Sequence, residues 1–286
     1  MENVWISSGF CPCPAGRSAD VSVPAMGAAA SKASGNAPED LVLVYFDLKG
    51  RGEASRLALH MANVPFRDQR ITFEEWGALK KAEEETGTQQ TGPLGQVPLL
   101  KFTTAGEEVT FCQSSAILRY VGRIAAEKGI KNFVGYPIGD AIACLQVDQA
   151  LDSIEDTFPK MWAPIMREKD NSRKAELVKE MVEIKMPAAL AKLDALIAAT
   201  NGTDIGSSDT GTTTWLKDGK ISIADLELYA FVETLAGGPL VAMLQTPKDI
   251  CAPYKNVMGV WRGIKELNTT KTWDAKVEAE KKAPSS

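Results

Sequence analysis

Leu41-Val42-Leu43-Val44-Tyr45-Phe46 is the stretch on which the fold turns. Six apolar residues, four of them β-branched or aromatic, read as a buried strand. Arg51 to Asn63 follows with apolar residues at helical spacing (Ala54, Leu57, Ala58, Met61), so a strand feeds a helix. Residues 66–71 can form a second strand and 73–84 a charged amphipathic helix. Val97 to Phe102 and Val109 to Cys112 are two strands joined through Thr103-Thr104-Ala105-Gly106-Glu107, a hairpin signal. Residues 114–127 are again helical. The order βαβ then ββα predicts a mixed sheet flanked by helices, because the first unit needs a parallel neighbour and the hairpin is antiparallel.

After 128–137 no convincing strand is expected. Helical periodicity runs through 138–168, 172–200, 222–236 and 254–267, with Pro159 and Pro164 expected to disturb the first of these. Ser222-Ile223-Ala224-Asp225 has the pattern of a capping box that starts a core helix. The fold class is therefore α/β plus all-α: a thioredoxin-like domain over 40–127 and an all-helical domain over 138–286. Residues 1–39, rich in Ser, Ala, Gly and Pro, are expected to be a disordered extension. The Gly/Ser/Thr/Asp segment 201–214 is expected to be an exposed loop.

Composition narrows the function. The chain carries 32 basic and 37 acidic residues, a net charge of -5, with no basic stripe, which argues against a nucleic-acid partner. Five scattered cysteines, an odd number, argue for a reducing compartment and against a disulfide framework. Cys11-Pro12-Cys13 has no second ligand pair, so no metal is expected. The single histidine, His60, lies mid-helix in an apolar pattern and reads as packing. The start of the chain lacks the basic and apolar regions of a secretory signal, and no apolar run is long enough to span a bilayer. Met26-Gly27-Ala28-Ala29-Ala30-Ser31 matches an N-myristoylation pattern, so a membrane enters only if translation starts at Met26 and Gly27 is acylated.

Three pieces carry chemistry. Tyr45 ends the first strand, where a neutral phenol can donate to a sulfur and favour its thiolate; a strand tyrosine also serves as packing. A cis Val97-Pro98 bond would turn the Val97 N–H and C=O outward to pair with an extended peptide. Gln113-Ser114 opens a helix, whose free N–H groups and serine hydroxyl suit a carboxylate. Ser114 would equally be a plain N-cap.

In this order the pieces resemble the cytosolic glutathione transferases, tyrosine type, over about residues 41–267. Val44 to Glu53 looks like the first strand and turn of the sigma, pi and mu classes. Gly95-Gln96-Val97-Pro98 is similar to their cis-proline loop, Cys112 to Tyr120 to their glutamate-binding helix, and Ser222 to Asp225 to their capping box. The resemblance implies that Tyr45 is the catalytic phenol and that Arg51, Trp76, Lys80, Gln96, Val97, Pro98, Gln113 and Ser114 hold glutathione as co-substrate. It aligns Asp156, with Asp152 and Glu155 close by, with an acid that reaches the neighbouring subunit's glutathione, and so implies a cytoplasmic homodimer. Phe46, Leu48, Phe158, Met161 and Trp162 are implied as the electrophile pocket. The implied activity is conjugation of glutathione to small apolar electrophiles, as in detoxification. The alternatives are a glutathione-dependent isomerase like prostaglandin D synthase, or a non-catalytic ligand-binding or structural relative. Three segments depart from the family pattern: Glu83 to Pro93 is long, and could rim the glycine end, while the N-terminal arm and 201–214 have no counterpart.

Overall fold

The computed structural model describes residues 38–201, 214–216, 219–237 and 249–282, excepting the side chains of 158–163, 166, 201, 236 and 237. The expectations for Cys11, Cys13, the Gly27 acylation pattern and nearly all of the 201–214 loop lie outside the described residues, as do the Phe158, Met161 and Trp162 side chains.

The predicted sheet is present. β1 (Glu39–Phe46) leads through a 3₁₀ turn (Gly50–Gly52) into α1 (Glu53–Met61), then β2 (Arg67–Ile71) and α2 (Phe73–Thr86). The hairpin β3 (Leu99–Thr104) and β4 (Glu107–Cys112) precedes α3 (Ser114–Lys128). The strand order is β2-β1-β3-β4, with β1 parallel to β2 and antiparallel to β3, and β3 antiparallel to β4. Alternation along β1 splits its side chains between two cores. Leu41 and Leu43 join Leu100, Phe102, α1 and α3 in the main core, while Val42 and Val44 join Ile71, Trp76 and Leu99 under α2.

Register explains why three distant pieces of sequence meet. Val44 sits opposite Leu99, and Leu99 opposite Cys112. The residues just beyond this row are Tyr45 on β1, Val97-Pro98 before β3, and Gln113-Ser114 after β4. All three therefore lie at one end of the sheet. β2 ends there too, since Phe46 pairs with Ile71, and Thr72 caps α2 by accepting from the Glu75 N–H.

Among the described residues the second half is helical, with one exception. α4 (Ala141–Arg167) runs unbroken through both prolines, starting at Asp140, whose side chain accepts from the Ile142 and Ala143 N–H groups. The single helix expected over 172–200 is three pieces: α5 (Asn171–Glu180), a π turn (Met181–Lys185) and α6 (Met186–Asn201). α7 (Ile223–Gly237) and α8 (Lys255–Lys265) match their predicted spans closely, and α9 (Asn268–Lys282) was not expected. The exception is a two-strand parallel sheet, β5 (Phe133–Gly135) with β6 (Ile221–Ser222), strands too short to show a period in sequence. Among the described residues no helix is long and apolar enough to cross a membrane.

Asp225 is the capping-box acid at the foot of α7, fully buried. It accepts from the Ser222 N–H at 2.7 Å, the Ser222 hydroxyl at 2.9 Å and the Trp215 N–H. The Ser222 hydroxyl in turn accepts from the Ala224 N–H, one residue earlier than the expected box geometry.

Candidate functional site

Alternation sends Tyr45 to the helical side of the sheet, where it is 7% exposed. Its ring fills the space over the following turn. A Cβ at Gly52 would stand 2.7 Å from the Tyr45 ring, and one at Gly50 would stand 2.8 Å from Tyr45 Oη. Gly50 also adopts φ +41°, a left-handed value that favours glycine. The turn can pass the phenol only because both positions lack a side chain.

Tyr45 Oη accepts from the Arg51 N–H at 3.1 Å. Burial raises its pKa above the usual phenol value despite that bond and the nearby Arg51 and Arg56 charges. The phenol therefore keeps its proton, and the hydroxyl keeps a hydrogen to donate. Arg51 continues the chain of contacts: its Nε donates to Ser114 Oγ at 3.2 Å and its guanidinium pairs with Glu155. Ser114 Oγ donates onward to Glu155 at 3.4 Å. Gln113, just before it, holds φ +77°, uncommon for a residue with a side chain.

The Val97-Pro98 bond is cis, as the sequence suggested. Among the described residues the Val97 main chain makes no hydrogen bond, so its N–H and C=O remain open to an added strand. Trp76 and Val97 pack together in the core under α2, with the Lys80 ammonium 5.7 Å from the centre of the Trp76 ring. Gln96 and Lys80 are exposed. The long Glu83–Pro93 segment is folded back on α2: Glu83 accepts from the Gln90 and Thr91 N–H groups and the Thr91 hydroxyl. These bonds lower the Glu83 pKa.

Phe46 packs against the core under α2, its ring tilted on Phe73 with centroids 4.2 Å apart, and it also stays within 5.5 Å of the Tyr45 ring. Leu48 stays beside Gly50 in the turn. Asp156 is exposed and lines a groove between α4 and α6 with Lys185 and Lys192, while its neighbour Glu155 is the acid that meets Arg51 and Ser114. One helical step of 100° separates the two carboxylates, so they face different directions.

Several residues of this region escaped the sequence reading. Arg56, fully buried, donates to Leu48 O, Phe46 O and Asp68, and its guanidinium lies 5.6 Å from the Tyr45 ring centre. It holds the carbonyls on either side of the strand end. Lys49 donates to Tyr229 Oη and Glu233, fastening the turn to α7. A cavity opens between the turn, α4 and α7, lined by Gly50, Arg51, Ile154, Glu155, Glu227 and Phe231, among others. Burial, then repulsion from Glu155, pushes the Glu227 carboxyl up to about 7 against the pull of Arg51. The signal available in sequence was charge on apolar helix faces: Glu53 and Arg56 within α1, Glu227 within α7. Among the described residues no cluster of three or more potential metal ligands occurs.

A mixed four-strand sheet with a tyrosine, a cis-proline loop and a serine-headed helix at one end, followed by a helical domain, defines a thioredoxin-like module with a helical extension. Comparison with known proteins agrees. Residues 155–276 match the model of the glutathione S-transferase C-terminal domain. A glutathione S-transferase of Anopheles gambiae is 32% identical over 163 residues, 57% of this chain and 69% of that protein. Glutathione S-transferase 1 of Ascaris suum is 34% identical over 146 residues, 51% of this chain, and the match spans only 60% of that relative's length. Among solved structures, prostaglandin synthase D of Nilaparvata lugens superposes with a TM-score of 0.61 at 26% identity, covering 83% of this chain and 98% of that one. The chain belongs to the glutathione S-transferase family.

Proposed function

We propose that the protein is a glutathione transferase in which Tyr45 stabilises the thiolate of bound glutathione for attack on an apolar electrophile. The observation that carries this reading is the row at one sheet end. There a protonated phenol held by the Arg51 N–H lies beside an open Val97 main chain and the Arg51–Ser114–Glu155 cluster. A thiol with a pKa near 8.5 is mostly protonated at neutral pH, and only the anion is a strong nucleophile. A hydrogen bond from the phenol favours the anion, and proximity in the bound pair adds to the rate.

In this reading Val97 pairs with the peptide backbone, while Gln113 and Ser114 take the glutamyl carboxylate at the head of α3. Trp76, Lys80 and Gln96 hold the glycine end. The test is conjugation of a general aromatic halide beside Tyr45→Phe. A charge-assisted bond contributes roughly 1.5–3 kcal/mol, so the variant is expected to bind glutathione but lose about ten- to a hundredfold in turnover. Unchanged turnover would remove Tyr45 from the role.

An isomerase that uses the same thiolate without consuming it is the second reading, supported by the likeness to the Nilaparvata lugens prostaglandin synthase D. A panel of endoperoxides assayed beside the halide separates the two. We also assign a homodimer and a cytoplasmic, detoxifying role. The dimer is supported by Phe111 on the edge strand β4, by Ile138 just before α4 and by Ile142 and Leu145 in its first turns, which are 46%, 58%, 66% and 64% exposed. The compartment is supported by free thiols at Cys112, Cys144 and Cys251.

A further inference from the structure

Glu227 is used by nothing described so far. It projects from α7 with 7% of its surface exposed, lines the cavity beside Arg51, and makes no hydrogen bond among the described residues. Buried carboxyls without a partner are rare because burial strongly disfavours the bare charge. This one faces a small space of about 20 Å³, room for a single water-sized group. Ile154, Ala230 and Phe231 give it an apolar wall, and Arg51 and Glu155 line it as a pair. Thr234 also lines the space; its hydroxyl donates to Ala230 O, which leaves its lone pairs free to accept.

We infer that this cavity is a seat for a primary ammonium group on a slender apolar chain, with Glu227 as its counter-ion. The size fits, since an ammonium head is about as large as a water. The charge fits as well. Arg51 is already matched by Glu155, so an ionised Glu227 leaves the cluster one negative charge in excess. The carboxyl is desolvated in the free protein, so a cation entering the cavity gains the attraction without a second dehydration of the acid. The charged or titratable groups facing Glu227 are Arg51 of the turn, Glu155 of α4 and Tyr45 of β1. Because Glu227 titrates near neutrality, an ammonium ligand binds more strongly as the pH rises and the carboxyl ionises. The site goes beyond conjugation chemistry and is read without glutathione.

The experiment is calorimetric titration of the full chain, free of glutathione, with n-propylammonium chloride and with n-propanol, its neutral counterpart. The amine is expected to bind at least about tenfold more tightly than the alcohol near pH 8, and the gap is expected to shrink to about threefold or less near pH 6. Glu227→Gln, close in shape but unable to ionise, is expected to close the gap at both values, and Glu227→Asp to restore part of it. Equal binding of amine and alcohol, or a gap that survives Glu227→Gln, overturns the assignment. Should the glutamine variant fail to fold, the parent alone decides: a gap that does not widen between about pH 6 and about pH 8 overturns it equally. The aromatic-halide assay on the same preparation reports separately on the transferase reading.

Discussion

Asp225→Asn tests whether the foot of α7 is held by a buried acid working against its own desolvation. Asp225 accepts three hydrogen bonds, from Trp215 and twice from Ser222, yet burial pushes its carboxyl from 3.8 up to about 6. A raised acid binds its proton more tightly in the folded chain. Its stabilising contribution is thus fully present below about pH 3.8 and is lost as the pH rises through about 6. At about 1.4 kcal/mol per unit, the ionised form makes the fold about 3 kcal/mol less stable near neutrality than the protonated form does in acid. Asp225→Asn does not titrate. Its amide turns an NH2 toward one of the three donors, and leaving a buried donor unmet costs about 1–3 kcal/mol. Near pH 7 that loss and the relief from the buried charge offset each other, so parent and variant are expected within about 2 kcal/mol. Near pH 4.5 the parent recovers about 2 kcal/mol and the variant none, so the variant's deficit is expected to widen by that amount. Urea unfolding at both pH values, extrapolated linearly to water, reads it directly. A deficit that stays constant or narrows on acidification would refute the account of Asp225 as a carboxylate strained by burial.

Two further outcomes follow from the site and the surface. Arg51→Ala removes the link between Ser114 and Glu155, and the KM for glutathione is expected to rise about tenfold. Its thermal midpoint should move little, because the Arg51 and Glu155 side chains are 29% and 30% exposed and such pairs contribute about 0–1 kcal/mol; an unchanged KM would take Arg51 out of the binding site. Ile142→Lys combined with Leu145→Glu is expected to convert a homodimer to monomers in sedimentation velocity, and a dimer that persists would place the interface elsewhere.

The sheet half was legible in sequence because each of its signals is local. The unbroken apolar run Leu41–Phe46, the Ala105-Gly106 turn and the helical spacing after Arg51 each specify one element, and strand register then brings Tyr45, Val97 and Ser114 to one end. What escaped depended on side-chain direction and on contacts between distant segments. The Phe46 ring meets both Phe73 of α2 and Tyr45, a placement that depends on where α2 docks and that strand alternation alone does not give. Glu155 meets Arg51 and Ser114 because of where α4 docks, which no spacing rule gives. β6, two residues long, exists only because it pairs with β5, and α9 is a charged helix anchored by Trp273 alone among large buried side chains.

The helical half does more than cover the sheet: it fixes the turn on which the phenol depends. Lys49 is bonded to Tyr229 and Glu233 of α7 and lies 3.2 Å from Asp274 of α9. Glu53, buried at the start of α1, accepts from the Trp273 indole of α9 at 2.9 Å and sits 3.4 Å from Arg56. Arg56 in turn binds the carbonyls of Phe46 and Leu48. Residues 46–56 are thus held from above by α7 and α9 and from within by a buried arginine. The Arg51 N–H that orients Tyr45 Oη belongs to this clamped segment. A hydrogen bond to a developing thiolate is worth its full strength only if the donor is already in place when sulfur arrives. In this chain that preorganisation comes from contacts made more than a hundred residues downstream, so the catalytic reading of Tyr45 rests on the helical domain as much as on the strand that carries it.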